Sequence, residues 1–358
     1  MAKSVVYKRL AITRSQKDFS LTRYATLLAF VGVVVLFSII TPTFFTAPNI
    51  ANILSQSAIL ALVAIGLSFV IAIGGMDLSI AVSYDAGALM TILALQSGFS
   101  LVPAILLGLS AGVLIGLFNG LFVVKTKVTP FLVTLGTLFI IESVEKIVTR
   151  GGESIYLSGV SETFRYLGQG SFLVITTADG SRIDFKFSLI LVIIVAIVTH
   201  FLLKKSVFGR RLYSIGAQKE AALLSGVPVN RYIIYAFVIS AVICAFAGII
   251  GSSVLNSFTP VSGRYYLLDA IGAVFIGSTL QKQGFANIPG TLIGVLLFGV
   301  LANGLNLAGL NFYWQSVARG IAILSILILD SSLQKQKTTK VEKQPMFFKK
   351  GQSMTKEE

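Results

Sequence analysis

Charge is what this sequence has least of. Of its 358 residues, 12% are charged and 55% are hydrophobic, whereas soluble domains carry about a quarter charged residues. Between Tyr24 and Val124 only Asp77 and Asp85 bear a formal charge. So few charges cannot cover the surface of a water-soluble domain, and a disordered chain is never this apolar. A single cysteine, Cys244, excludes a disulfide framework and a thiolate metal cluster. A single histidine, His200, leaves no second imidazole for a metal site or a proton relay. The sequence also lacks G-x-x-x-x-G-K-[ST], a Gly-x-Ser-x-Gly elbow and H-E-x-x-H. Neither catalysis nor a bound cofactor is therefore expected. What remains is an all-α polytopic chain suited to a bilayer.

A helix needs about 20 mostly apolar residues to cross the hydrocarbon core. Ten stretches qualify as candidate spans: 24–40, 49–73, 78–96, 102–124, 131–148, 188–203, 232–255, 266–280, 289–307 and 313–329. The third and eighth are the shortest or most polar. The first follows a basic segment, as the core of a secretion signal does, but it has span length and no small-x-small cleavage site. It reads as an uncleaved first helix. With the N-terminus inside, the segments predicted to face the cytoplasm hold 22 of the 29 Lys and Arg residues. Ten crossings with both termini cytoplasmic satisfy the positive-inside rule. The net charge of +14 then marks orientation and contact with anionic lipid, and no nucleic-acid partner is implied. The chain divides into an N-terminal cytoplasmic segment (1–23), a membrane domain (24–330) and a polar tail (331–358). Residues 150–187 form an outer loop, either a lid or docking element or a plain connector.

Ionisable groups inside a membrane are costly, so each one marks a candidate site. Asp77 follows Gly74-Gly75-Met76, where two glycines interrupt the apolar pattern. Asp77 and Asp85 either line a polar path or cap helices, and Ser79 lies between them. Glu142 and Lys146 have the i, i+4 spacing of a helical ion pair. Asp269 stands near the start of the eighth span, placed to cap it, and Arg319 has no partner nearby in sequence. Gly108, Gly112, Gly116 and Gly120 form a small-residue ridge expected to pack against another helix. Asn119-Gly120-Leu121 is repeated by Asn303-Gly304-Leu305 about 185 residues later. Two weakly related halves are expected, as in many transporters. Asn119, Asn256, Phe258 and Asn303 join the candidates for the path.

The cytoplasmic segment 204–231 contains Phe208-Gly209-Arg210-Arg211-Leu212-Tyr213-Ser214-Ile215-Gly216, then Ala221-Ala222-Leu223-Leu224-Ser225-Gly226-Val227-Pro228-Val229. Its central part reads as a short amphipathic helix closed by Gly226 and Pro228. Such a helix on the inner face suits a partner's cleft, or serves as a surface connector.

This segment resembles the G-R-x-x-Y-A-I-G-x-x-x-x-A-A-x-x-S-G-I-x-V loop of ribose-type sugar permeases of bacterial ABC importers. The resemblance extends to Gly74-Gly75-Met76-Asp77-Leu78-Ser79, Leu268-Asp269-Ala270-Ile271, Pro289-Gly290-Thr291-Leu292-Ile293-Gly294 and Asn303-Gly304-Leu305-Asn306-Leu307, in the expected order. The chain departs from the family's pattern at Ile80-Ala81 and at Ser278-Thr279-Leu280. The resemblance implies a permease subunit of the bacterial inner membrane, paired with a second permease copy, cytoplasmic ATPases and a periplasmic sugar-binding protein. It implies that 209–231 couples to the ATPase, with Gly209, Arg210, Gly216, Glu220, Ala221, Ala222, Ser225 and Gly226 as candidates. The rival readings are an ion-coupled transporter that works without an ATPase, and a membrane scaffold that transports nothing.

Overall fold

The computed structural model describes residues 26–157, 162–177, 180, 182–281, 284–311, 313–321 and 324–325. The expected cytoplasmic segment 1–23 and tail 331–358 lie outside them. Helix α1 (Thr26–Ile40) is followed by α2 (Ala47–Ala72), α3 (Ile80–Gln96), α4 (Leu101–Thr126) and α5 (Pro130–Val148). Then come β1 (Ile155–Tyr156), α6 (Glu162–Gln169), the hairpin β2 (Ser171–Thr176) and β3 (Arg182–Lys186), and α7 (Phe187–Lys204). The short α8 (Val207–Ala217) and α9 (Lys219–Leu224) precede α10 (Val229–Leu255), β4 (Ser257–Phe258), α11 (Arg264–Thr279) and α12 (Ile288–Leu307). A last helix, α13, covers residues 313–321.

Helix α2 sits at the centre, because its residues from Leu60 to Val70 are buried without interruption and an all-round apolar helix needs partners on every side. Helices α10, α11 and α12 pack against it. Helices α4 and α7 instead leave Leu106, Leu114, Phe118, Ile193, Ile197 and Phe201 exposed, as befits a lipid-facing wall.

Glycines set the distances between helices. Side chains at Gly112, Gly116 and Gly120 of α4 would overlap Ala241, Val238 and Ile234 of α10, so these three lie against α10, while Gly108 lies against Thr91 and Gly87 of α3. Gly87 of α3 meets Ala245 of α10, while Gly290 and Gly294 of α12 meet Gly277 and Ala273 of α11. The two triads α2–α3–α4 and α10–α11–α12 interlock: α4 packs on α10, α12 packs on α2, and each triad's short helix contacts the other triad's first helix. Each triad also has a break after its first helix, at 73–79 and at 256–263.

The loops separate by end. At one end Gly216 packs on Ala72 and Gly74, Pro130 on Gly75, and the Tyr213 hydroxyl donates to Ala286 O at 2.8 Å. At the other end β1 pairs with β4, Ser154 Oγ lies 3.2 Å from Thr259 Oγ1, and Asn49 exchanges two amide hydrogen bonds with Asn303.

Among the described residues, five helices are long and apolar enough to cross a membrane: α2, α4, α7, α10 and α12. The expected spans 78–96 and 266–280 are found as α3 and α11, helices of 17 and 16 residues whose ends differ from those bounds by two residues at most. Each follows one of the non-helical breaks. Asp269 does not cap α11, since it is the sixth residue of that helix. Its carboxylate pairs with Arg319 of α13 at 2.9 Å. Glu142 does not pair with Lys146 but with Arg264 at the start of α11.

Candidate functional site

The break at 73–79 is the first polar centre. Gly74 takes φ 77°, a left-handed conformation cheap only for glycine, and so ends α2. The backbone then leaves the helix, with Gly74 N and Gly75 N still donating back to Ile71 O and Val70 O at 2.9 Å. Irregular backbone at membrane depth is tolerated where protein groups satisfy it, and Thr134 of α5 does so here. Its hydroxyl accepts from Leu78 N at 3.1 Å and lies 3.4 Å from Met76 O. Asp77 does not cap α3. Its Oδ1 accepts from Ser79 N at 2.9 Å and from the Ser79 hydroxyl, an Asx turn ahead of the helix.

A chain of side chains leaves that turn. Ser240 Oγ of α10 donates to Asp77 Oδ2 at 3.4 Å, Asn119 Nδ2 of α4 donates to Ser79 Oγ at 2.7 Å, and the Thr137 hydroxyl of α5 donates to Asn119 Oδ1. Asp77, Ser79, Asn119 and Ser240 have no solvent exposure. The break, α10, α4 and α5 are thus linked by one chain of hydrogen bonds, and buried networks whose members are satisfied specify one arrangement.

The break at 256–263 is the second centre. Asn256 ends α10 at φ 52°, and Phe258 is buried in β4 opposite Ile155. Val261 takes φ 61°, costly for a β-branched residue. Its N–H donates to Glu145 Oε2 of α5 at 3.3 Å. The next two residues close on α3, where Ser262 Oγ and Gly263 N donate to Asp85 Oδ1 at 2.8 and 2.9 Å. Arg264 then grips Glu142 with Nε and Nη2 in a bidentate pair. Two carboxylates and one ion pair therefore hold a strained loop inside the bundle. Among the described residues no three His, Cys, Asp or Glu side chains form a metal site.

The expected coupling segment is folded as α8 and α9. Ser206 caps α8 by accepting from Gly209 N at 3.0 Å. Gly209 lies against the Leu203 carbonyl, and Gly216 lies against the Ala72 carbonyl beside the first break. Arg210 is exposed and donates to Lys205 O at 3.2 Å. On α9, Ala222 is buried, whereas Glu220, Ala221, Ser225 and Gly226 are exposed. Leu223 and Leu224 are 63% and 89% exposed, an apolar tip with no cover among the described residues. Tyr213 links this segment to the loop before α12. Burial pushes its phenol up to about 12, so it keeps the proton it donates to Ala286 O.

The structure brings Asp77, Ser79 and Asn119 together at one centre, and Asp85, Asn256 and Phe258 near the other. Asn303 stands apart, in its amide pair with Asn49. Sequence reading missed Thr134, Thr137, Ser240, Ser262 and Arg264. The available signal was a hydroxyl or charge inside an otherwise apolar stretch, which alone does not say which face of the helix carries it.

Residues 49–327 match the protein family described as branched-chain amino acid transport system, permease component. The ribose import permease protein RbsC of Bacillus subtilis is 37% identical over 297 residues, which cover 83% of this chain and 89% of that protein. The galactose/methyl galactoside import permease protein MglC of Haemophilus influenzae is 31% identical over 340 residues, covering 90% and 98%. RbsC of Escherichia coli is 31% identical over 314 residues, covering 86% and 94%. No solved structure matches the chain. With a family match spanning most of its length and a bundle of long apolar helices, the chain belongs to this family of permease components and is a multi-pass protein of the bacterial inner membrane.

Proposed function

We infer that the chain is the membrane-spanning subunit of an ATP-driven importer and forms the translocation path for a small neutral sugar, a pentose or a hexose. The observation that carries this reading is the similarity, over nearly the whole chain, to permeases named for ribose and galactose import. The polar centres fit it. Their carboxylates are already engaged by protein donors, which suits a solute with hydroxyls and no charge. Asp77, Ser79, Asp85, Asn119, Asn256, Phe258 and Asn303 are the candidates for the path and its hinges.

In this reading the helices make ten crossings with both termini cytoplasmic, two permease copies face each other, and the chain binds no cofactor. A periplasmic binding protein delivers the sugar. Cytoplasmic ATPases dock on α8 and α9, through Gly209, Arg210, Gly216, Glu220, Ala221, Ala222, Ser225 and Gly226. The exposed Leu223–Leu224 tip supports that docking, because apolar side chains at a loop apex bury readily in a partner cleft. Gly216, packed on Ala72, places the docking segment against the first helix break.

The test is sugar accumulation in cells lacking their own ribose and galactose importers. Expression of the chain with its ATPase and binding protein should restore uptake of a labelled pentose or hexose, and withdrawal of the ATPase should abolish it. Equal uptake without the ATPase would support an ion-coupled carrier instead.

A further inference from the structure

A cavity of about 470 Å³ lies between α2, α11, α12 and α13, apart from both polar centres. It is in the size range of small-molecule sites. Its wall joins the first triad, through α2, to the second, through α11 and α12, the kind of junction where transporters of two related halves place their substrate. The polar lining consists of Gln56, Ser57, Asp269, Asn306, Gln315 and Arg319.

Two observations mark it as a site waiting for hydrogen bonds. Ser57 Oγ and Arg319 Nε are buried and have no hydrogen-bond partner among the described residues. A buried polar atom left unpaired costs about 1–3 kcal/mol, so a ligand hydroxyl that reaches it is favoured. Gly299 faces Ser57, and any side chain there would overlap the Ser57 hydroxyl. Glycine at 299 therefore keeps the wall open.

The chemistry of the lining selects the ligand. Asp269 and Arg319 pair at 2.9 Å and cancel each other's charge, so the cavity favours a neutral solute. Their remaining oxygen and N–H groups, with three side-chain amides, offer acceptors and donors side by side. A hydroxyl needs both. Tyr265, Tyr266 and Phe298 add aromatic faces for the C–H side of a ring. We propose that this cavity is a binding site for a neutral pentose or hexose during its passage through the chain. The proposal rests on the sugar-import reading and adds to it a location outside the seven path candidates.

The test uses a thiol placed in the wall of the full chain. Cys244 is buried, and reactive thiols need exposure, so Ala302→Cys supplies the reactive group, with Asn306→Cys as a second position if the first variant does not fold. Uptake by the assembled importer first identifies which of a panel of pentoses and hexoses is carried. That sugar, at about ten times its dissociation constant, should slow alkylation of the introduced thiol about tenfold. Leucine should not. Asp269→Asn and Gly299→Val should remove the protection while leaving membrane insertion unchanged. If a sugar is imported but alkylation proceeds at the same rate with and without it, the cavity is not its site. Protection by leucine would overturn the neutral-sugar assignment. If no sugar is imported at all, the functional reading falls, and this proposal with it.

Discussion

A single side chain decides whether a charge inside the membrane domain is harmless. Glu142 is almost fully buried, and the half-exposed Arg264 meets it bidentately. Removal of Arg264 leaves a buried carboxylate without its cation. Arg264→Ala should therefore lower the stability of the detergent-solubilised chain by about 1–2 kcal/mol, the lower part of the usual range because Arg264 is partly screened by solvent. Lys146→Ala should change it by less than about 0.5 kcal/mol. Thermal unfolding of the two variants distinguishes them, and equal losses would contradict the assigned pair. The same residues show what sequence reading reaches. Spacing along one helix pointed to Lys146, because the i, i+4 rule sees only its own helix. The actual partner lies 122 residues away, and only tertiary packing places it. Asp77 and Asn119 stood out in the sequence as polar groups in apolar surroundings. That Ser240 bonds to Asp77, Asn119 to Ser79 and Thr137 to Asn119 was not legible, since the three come from different helices.

At the scale of elements, the long apolar runs of α2, α4, α7, α10 and α12 were legible directly, because about 20 apolar residues have few other uses. The two short helices were legible too, since 78–96 and 266–280 lie within two residues of α3 and α11 at each end. What the apolar pattern did not show is the second break, at 256–263, where Asp85 and Glu145 accept from its backbone. The glycine ridge of α4 shows the opposite case: its spacing signalled close packing, and only the structure names α10 as the partner. The paired segment α8–α9 has its own consequence. Glu220 is exposed in the first turn of α9, close to the Leu223–Leu224 tip, and its side chain has no hydrogen bond or ion pair among the described residues. Glu220→Arg should reduce co-purification of the ATPase severalfold while membrane insertion and thermal stability remain those of the unaltered chain. Undiminished co-purification would remove α9 from the docking surface.

For the whole molecule, the interlocked triads carry one polar break at each end of the bundle, and α5 bonds to both, through Thr134 and Glu145. Each triad's short helix lies against the other triad's first helix, so the helix that follows each break touches both halves. Gly216 packs on Ala72 and Gly74 beside the first break, so in the proposed reading a push on α8 is delivered to the chain segment that leads to Asp77. The low charge of the sequence takes on meaning at this scale: Asp77, Asp85 and Glu142 are each engaged by protein donors, which in the proposed reading leaves the path to an uncharged solute. The decisive measurement is transport by proteoliposomes holding the purified chain, with and without its ATPase, supplied with the sugar-loaded binding protein. The account predicts accumulation of a pentose or hexose only when ATPase and ATP are both present, and none in response to an imposed proton or sodium gradient. Accumulation by the chain alone under such a gradient would contradict it.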